Sequence, residues 1–134
     1  MTEALSAGEL AFLQAAFDLA RDGETQTLIG YVDAGLPVNL TNSGGDTLLI
    51  LAAYHVHADM VHALLERGAD TARINDKGQT ALAAAVFRQA AEIVAALLEA
   101  GADPALGPRS AFDIATFFEL PAMTELLERA PRPG

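Results

Sequence analysis

"TLLILAAYHVHADMVHALLERGAD" (47–70) decides how this chain must be read, because most of it returns thirty-three residues later. "LLERGAD" (64–70) and "LLEAGAD" (97–103) stand one period apart, and the same step back from Gly68 reaches Gly35 in "YVDAGLPVN". Thr47 maps onto Thr80, and Ser110 follows thirty residues after that. The aligned segments are "GDTLLILAA" (45–53), "GQTALAAAV" (78–86) and "PRSAFDIAT" (108–116). Self-similarity at a fixed period marks a repeat array.

Each period reads as two helices. Thr47, Thr80 and Ser110 sit where an N-cap belongs, a hydroxyl ahead of an apolar, alanine-rich turn. The first helix then places small and apolar residues on one face, such as Leu49, Ala52 and Ala53. In the second helix Met60, Val61, Leu64 and Leu65 form one stripe, as do Ile93, Val94, Leu97 and Leu98. Pro121 opens the last second helix, where a missing N–H costs least. Gly35, Gly68 and Gly101 close the second helices, where glycine can turn left-handed. Turn-rich segments lead on to the next cap: "LPVNLTNSGG", "TARINDKGQ" and the shorter "PALGPR". One such pair cannot bury its stripe alone, so stacked neighbours must cover it.

These residues resemble the ankyrin repeat, whose pattern runs G-x-T-P-L-H-x-A-A, then x-x-G-H, an apolar I/V-V-x-L-L-L, and G-A-D-x-N. One unit matches at Gly45, Thr47, Leu49, Ala52, Ala53, His57, Met60, Val61, Leu64, Leu65, Gly68, Ala69 and Asp70. The next matches at Gly78, Thr80, Leu82, Ala85, Ile93, Val94, Leu97, Leu98, Gly101, Ala102 and Asp103. The resemblance implies an all-α solenoid of about four helix-turn-helix repeats with projecting finger turns, in a single domain over 1–134. Its units are an N-cap repeat at 6–40, internal repeats at 41–74 and 75–106, and a C-cap repeat at 107–130, with a tail at 131–134.

The chain departs from that pattern. Leu48, Ala81 and Ala111 replace the proline, and Ile50, Ala83 and Asp113 replace the first histidine. Repeat stability should therefore lean on packing more than on local hydrogen bonds. Val56, Gln89 and Glu119 stand where the inter-helix glycine is usual. The first unit lacks a threonine cap and offers instead the capping box Ser6 to Glu9, "SAGE".

Composition narrows the function. The chain of 134 residues is 51% hydrophobic and 6% aromatic, with alanine and leucine dominant, which favours helices over strands. No apolar run is long enough to span a membrane. The N-terminus carries Glu3 and Glu9 and no basic region, which argues against a secretory signal. Cysteine is absent, which excludes disulfides and thiolate chemistry. A cytoplasmic location is expected. Seven Arg against one Lys, with abundant Ala, fits a GC-rich bacterial source. The net charge of −10 repels phosphate backbones and anionic membranes, and points to a protein partner with a neutral or basic contact surface. Acidic surface also serves solubility.

All three histidines, His55, His57 and His62, fall within eight residues. A metal-dependent or enzymatic reading would use His55, His57 and Asp59. No established ligand spacing supports it, since structural and catalytic zinc need three or four converging ligands. His57 matches the family's frequent histidine before the second helix, where it caps that helix or bonds a neighbouring turn. His62 has Asp59 and Glu66 as helical neighbours and belongs to a solvated face. His55 is the histidine expected to face a partner. "SGG" (43–45) and "GPR" (107–109) are turns, not phosphate loops. Asp70 and Asp103 belong to GAD turns, and Asp18 and Asp22 solvate the first helix. No catalytic residue, metal or cofactor is expected.

The resemblance implies that partners meet the finger tips and the ends of the inner helices. Two helix-end positions run through the period. One gives Arg21, Tyr54, Phe87 and Phe117; the other gives Asp22, His55, Arg88 and Phe118. Four of the eight aromatics fall in these columns, and aromatics and Arg are the types enriched at binding hot spots. Ser43, Asp46, Asp76, Lys77, Gln79 and Arg109 on the fingers would form a polar rim. Phe117 and Phe118 either join the strip or fill the end of the stack. The expected protein is a monomeric, non-catalytic protein-binding module; a self-associating unit using the Phe117/Phe118 end is the other structural reading.

Overall fold

In the computed structural model, which describes residues 6–129, the hydroxyls of Thr47, Thr80 and Ser110 accept backbone N–H bonds from Ile50, Ala83 and Asp113 at 3.0, 3.1 and 3.2 Å. Each starts a seven-residue helix: α3 (Leu48–Tyr54), α5 (Ala81–Phe87) and α7 (Ala111–Phe117). The first unit uses the Ser6–Glu9 capping box to launch the longer α1 (Ala7–Asp22). Nine-residue helices follow each of these: α2 (Thr25–Asp33), α4 (Ala58–Glu66), α6 (Ala91–Glu99) and α8 (Pro121–Arg129). Among the described residues there is no strand, only an isolated antiparallel bridge between Thr41 and Thr47. None of these helices is long and apolar enough to cross a membrane.

Two rows result. The inner helices α1, α3, α5 and α7 pack side by side, and the outer helices α2, α4, α6 and α8 pack behind them. Helices this short are marginal in water by themselves, so tertiary packing supplies their stability. In α3 and α5 burial is not confined to the one face expected: Leu48 to Ala53 and Ala81 to Val86 are all buried. An inner helix has an inner neighbour on each flank and an outer helix behind, so nearly its whole circumference is covered. Ile50 and Ala83, in place of the family's histidine, fill this interior. Among the described residues α7 is the last inner helix. The counterparts of Ile50 and Ala53 there are Asp113 and Thr116, both exposed, because among the described residues no further helix covers that side.

The outer helices bury one stripe each, with Met60, Val61 and Leu64 in α4 and Ile93, Val94 and Leu97 in α6 at 0–1% exposure. α2, α4 and α6 run into Gly35, Gly68 and Gly101, all with positive φ. The Gly68 N–H bonds Leu65 O and the Ala69 N–H bonds Leu64 O, both at 3.1 Å, which is the paired closure of a Schellman end.

The inner helices close in the same way, but without glycine. Val56, Gln89 and Glu119 are left-handed, with φ of 61°, 56° and 53°. The His57 N–H still reaches Ala52 O at 2.9 Å and the Ala90 N–H reaches Ala85 O at 3.0 Å. Hydrogen bonding thus holds these three side-chain-bearing residues where glycine would sit unstrained. Only the first unit keeps glycine at this point, Gly23, at φ 75°.

Two stability outcomes follow from this packing. Leu64→Ala or Leu97→Ala should cost about 2–5 kcal/mol in urea melts, because each empties a sealed methyl cluster. His62→Ala, on the exposed side of α4, should stay within about 0.5 kcal/mol; the reverse order would mean the outer-helix face is misassigned. Val56→Gly should raise stability by roughly 0.5–1 kcal/mol. The left-handed cost to a side chain is about 1–2 kcal/mol, and the freer unfolded chain takes back part of it. A urea midpoint at or below that of the parent would show that this turn does not strain Val56.

Candidate functional site

The ends of α3, α5 and α7 bring four aromatic rings together. Tyr54 and Phe87 lie parallel, with centroids 6.3 Å apart and planes 6° apart. Phe87 meets Phe118 edge-on at 5.3 Å, and Phe118 meets Phe117 edge-on at 4.9 Å. Phe118 thus links Phe87 to Phe117 in the chain of ring contacts. Tyr54 and Phe87 each keep 40% of their surface in solvent, Phe118 keeps 46%, and Phe117 keeps 78%. The first three rings support one another; Phe117 projects furthest, beside the free end of the stack. Phe117 and Phe118 line an open depression of about 630 Å³ with Arg109 and Phe112.

Arg88 is tied to this strip. Its Nη1 donates to Tyr54 O at 2.9 Å, and its guanidinium carbon lies 5.5 Å from the Tyr54 ring centroid. A cation at that distance over a ring face is attracted by the ring quadrupole. His55 meets the Tyr54 ring edge-on at 5.2 Å. With Arg21, Lys77 and Gln79, Tyr54 and His55 line a smaller cleft of about 200 Å³ between the helix ends and the fingers.

The three histidines have different surroundings. His57 Nε2 lies 2.6 Å from Arg21 O at the end of α1. The partner is a carbonyl, so Nε2 carries the proton and donates. A Cβ on Gly23 would lie 2.6 Å from His57 Nδ1, so glycine at 23 both accepts the left-handed turn and makes room for the ring. His62, on the exposed side of α4, has Nε2 3.6 Å from Glu92 on α6. Asp59 sits in the first turn of α4, where a carboxylate suits the helix dipole. Among the described residues, no group of three or more His, Asp or Glu side chains is placed to hold a metal ion.

Two finger residues escaped the sequence reading: Asn42 and Asn75. Asn75 Oδ1 accepts the N–H groups of Lys77 and Gln79, both at 3.0 Å, and Asn42 Oδ1 does the same for Gly44 and Asp46 at 3.0 and 2.9 Å. Asn75 Nδ2 donates to Asp46 Oδ1 at 2.9 Å, and the Asp76 N–H bonds Gly44 O at 2.9 Å. These bonds stack one finger on the next. The signal was present as N-x-x-G-x-T at 42–47 and again at 75–80. Asp46 and Gln79, expected on the rim, are half-buried, and Asp46 spends its carboxylate on Asn75. Ser43, Asp76, Lys77 and Arg109 are exposed.

Formal charge is distributed unevenly. Arg21 pairs with Asp18, Arg67 with Asp33, Arg73 with Asp70 and Arg129 with Glu125. The Arg67–Asp33 pair is forked, at 2.7 and 3.2 Å, and joins the ends of α4 and α2. Its hydrogen bond holds the Asp33 carboxyl below the usual carboxylate range. His55 is shifted as well. Partial burial lowers its pKa from the usual imidazole value, and His57, Arg88 and Arg21 lower it further against a small opposing pull from Asp22.

Comparison with known proteins bears on the architecture. A family model described as ankyrin repeats in three copies matches residues 13–106, well over half of the chain. A Pseudomonas aeruginosa protein named "Putative ankyrin repeat protein PA3287" is 54% identical over 50 residues, which is 37% of this chain and 29% of that protein. The match spans less than a third of that relative's length.

His55 makes stability proton-linked. Its folded pKa lies below its unfolded value, so the unfolded chain binds the proton more readily. This contribution is present above the unfolded value and is lost as pH falls from there toward the folded pKa. Urea midpoints should therefore fall between about pH 7.5 and 5.5, and fall less in His55→Gln. Equal slopes in the two proteins would remove His55 from the account.

Proposed function

The chain belongs to the ankyrin repeat family, and from that premise we propose that it is a non-catalytic protein-binding module, an adaptor, inhibitor or stabiliser of one partner protein. Ankyrin repeats are in general protein–protein interaction modules. The observation that carries the reading for this chain is the mutually supported strip Tyr54–Phe87–Phe118, left in solvent at the ends of short, fully packed helices. A contiguous exposed apolar patch commonly marks an interaction surface. Rings needed only for packing would lie out of solvent, as the residues from Leu48 to Ala53 and from Ala81 to Val86 do.

In this reading Tyr54, Phe87, Phe117 and Phe118 are the anchors. Arg21, His55 and Arg88 flank them, and Asp46, Asp76, Lys77, Gln79 and Arg109 form the rim. The partner is a protein, as for ankyrin repeats in general, and neither nucleic acid nor membrane: the overall charge of −10 opposes extended polyanions, whose charge reaches well beyond any one contact strip. We place the protein in the cytoplasm as a monomer. No cofactor is invoked: His57 and His62 are engaged by Arg21 O and Glu92.

A second reading has one observation in its favour. Phe117 is the most exposed large apolar residue among those described, and it borders the depression at the free end of the stack. Self-association there would show as a molar mass that rises with concentration in light scattering, and would vanish in Phe117→Asp.

The main reading is tested by Tyr54→Ala/Phe87→Ala. The double variant should keep its helical circular-dichroism signal and melt cooperatively. Its capture of the partner from native lysate should weaken by about 2 kcal/mol or more, as expected for a central anchor. Undiminished capture, or a double variant that does not fold, would make the strip part of the scaffold.

A further inference from the structure

With eighteen carboxylates in the chain and only eight Lys and Arg, a cation should rarely lack an acidic neighbour. Among the described residues, Arg21, Arg67, Arg73 and Arg129 each lie within ion-pair distance of a carboxylate. Lys77, Arg88 and Arg109 have no such partner within the described residues, and all three lie beside the aromatic strip. Arg88 rests on Tyr54, Lys77 lines the cleft with Tyr54 and His55, and Arg109 lines the depression with Phe117 and Phe118. Carboxylates line the same two hollows, Asp46 the cleft with Lys77 and Asp113 the depression with Arg109, but neither lies within ion-pair distance of the cation and each is held by another hydrogen bond. Asp46 accepts from Asn75, Asp18 pairs with Arg21, and Asp113 caps α7 through the Ser110 N–H. Asp22 and Asp76 stand closer in: Asp22 acts on His55, and Asp76 precedes Lys77 in the chain. Asp76 lies against Gly45, where an added Cβ would come within 2.9 Å of its Oδ1. Exposed acids such as Asp59, Glu66, Glu92 and Glu99 belong to the outer row.

We propose that the strip takes an acidic peptide segment of the partner, with aromatic or large aliphatic side chains on Tyr54, Phe87 and Phe118 and carboxylates facing Arg88, Lys77 and Arg109. The proposal rests on the binding-module reading above and assigns the chemistry of its partner. A purely apolar segment would strip water from three cations and return nothing, and an unpaired buried charge is costly. A basic segment would set like charges face to face. The expectation of a neutral or basic contact, drawn from net charge, therefore gives way at this surface to local arrangement. The net charge still acts at long range, slowing the approach of an acidic partner until the strip is engaged.

The test is selection of phage-displayed random peptides of about twelve residues on the immobilised full chain, then anisotropy titration of the enriched peptides made synthetically. Enriched sequences should combine Asp or Glu with Phe, Tyr, Trp or Leu, and should be depleted in Lys and Arg. Their affinity should fall at least about tenfold in Arg88→Glu and in Lys77→Glu, and should weaken with added salt. It should be unchanged in Arg129→Glu on the outer row. Arg88→Gln serves in place of Arg88→Glu if charge reversal lowers the melting temperature. Basic enriched peptides, affinities unmoved by the Arg88 and Lys77 variants, or no enrichment at all would overturn the acidic-segment proposal. If such basic peptides still lose binding to Tyr54→Ala/Phe87→Ala, the strip stands as the contact surface and only its assigned partner is wrong. Peptides that bind the double variant unchanged remove the strip itself.

Discussion

Everything in this molecule depends on the burial of its inner helices. α3 and α5 are seven residues long, too short to persist alone, and six consecutive residues of each lie out of solvent. Such a helix has no solvated face to spare, so it is stable only between neighbours. The demand passes along the stack until something relieves it. At one end the longer α1 carries a single buried stripe through Ala16, Phe17 and Ala20. At the other, Asp113 and Thr116 occupy positions that are Ile50 and Ala53 in the interior, so the last helix tolerates water on its outer side.

The same geometry explains why the ends of the inner helices carry the molecule's distinctive side chains. Everywhere else along α3 and α5 the interior accepts only aliphatic or small residues. At the ends the chain turns back, and the side chains there reach both solvent and the neighbouring unit. His57 reaches back to Arg21 O and Arg88 reaches back to Tyr54 O. Asn75 reaches back to Asp46 in the fingers. Residues that could be assigned to recognition are thus also fasteners between units, and Arg88 serves as both. Side chains already tied to a neighbouring unit have less freedom left to lose, which lowers the ordering cost of any association that uses them.

Charge shows a similar contrast between the sum and its placement. A net charge of −10 describes how the molecule meets ions and polymers at a distance. It does not describe the strip, where cations without carboxylate partners among the described residues stand beside aromatic rings. The lowered pKa of His55 reflects that locality: after burial, its causes are the neighbouring His57, Arg88 and Arg21.

The period of thirty-three, the hydroxyl caps, the apolar stripe of each second helix and the closing glycines were legible in the sequence. Each is a local demand: a cap bonds three residues on, a stripe follows helical spacing, and a left-handed end favours glycine. These fixed the family and the all-helical stack. The two aromatic columns were legible too, because register repeats along a solenoid. What only the tertiary structure decided lies between units. Burial of six consecutive residues in each of α3 and α5 comes from neighbours on each flank, which no single helix pattern records. Phe118 joins Phe87 to Phe117 because side chains meet diagonally across adjacent helices. Asp46 is drawn from the rim to Asn75 by a bond spanning 29 residues. Val56, Gln89 and Glu119 adopt the glycine conformation because closing hydrogen bonds and packing outweigh their preference against it. Such choices depend on which side chains arrive from another repeat, and that is settled only when the repeats are stacked.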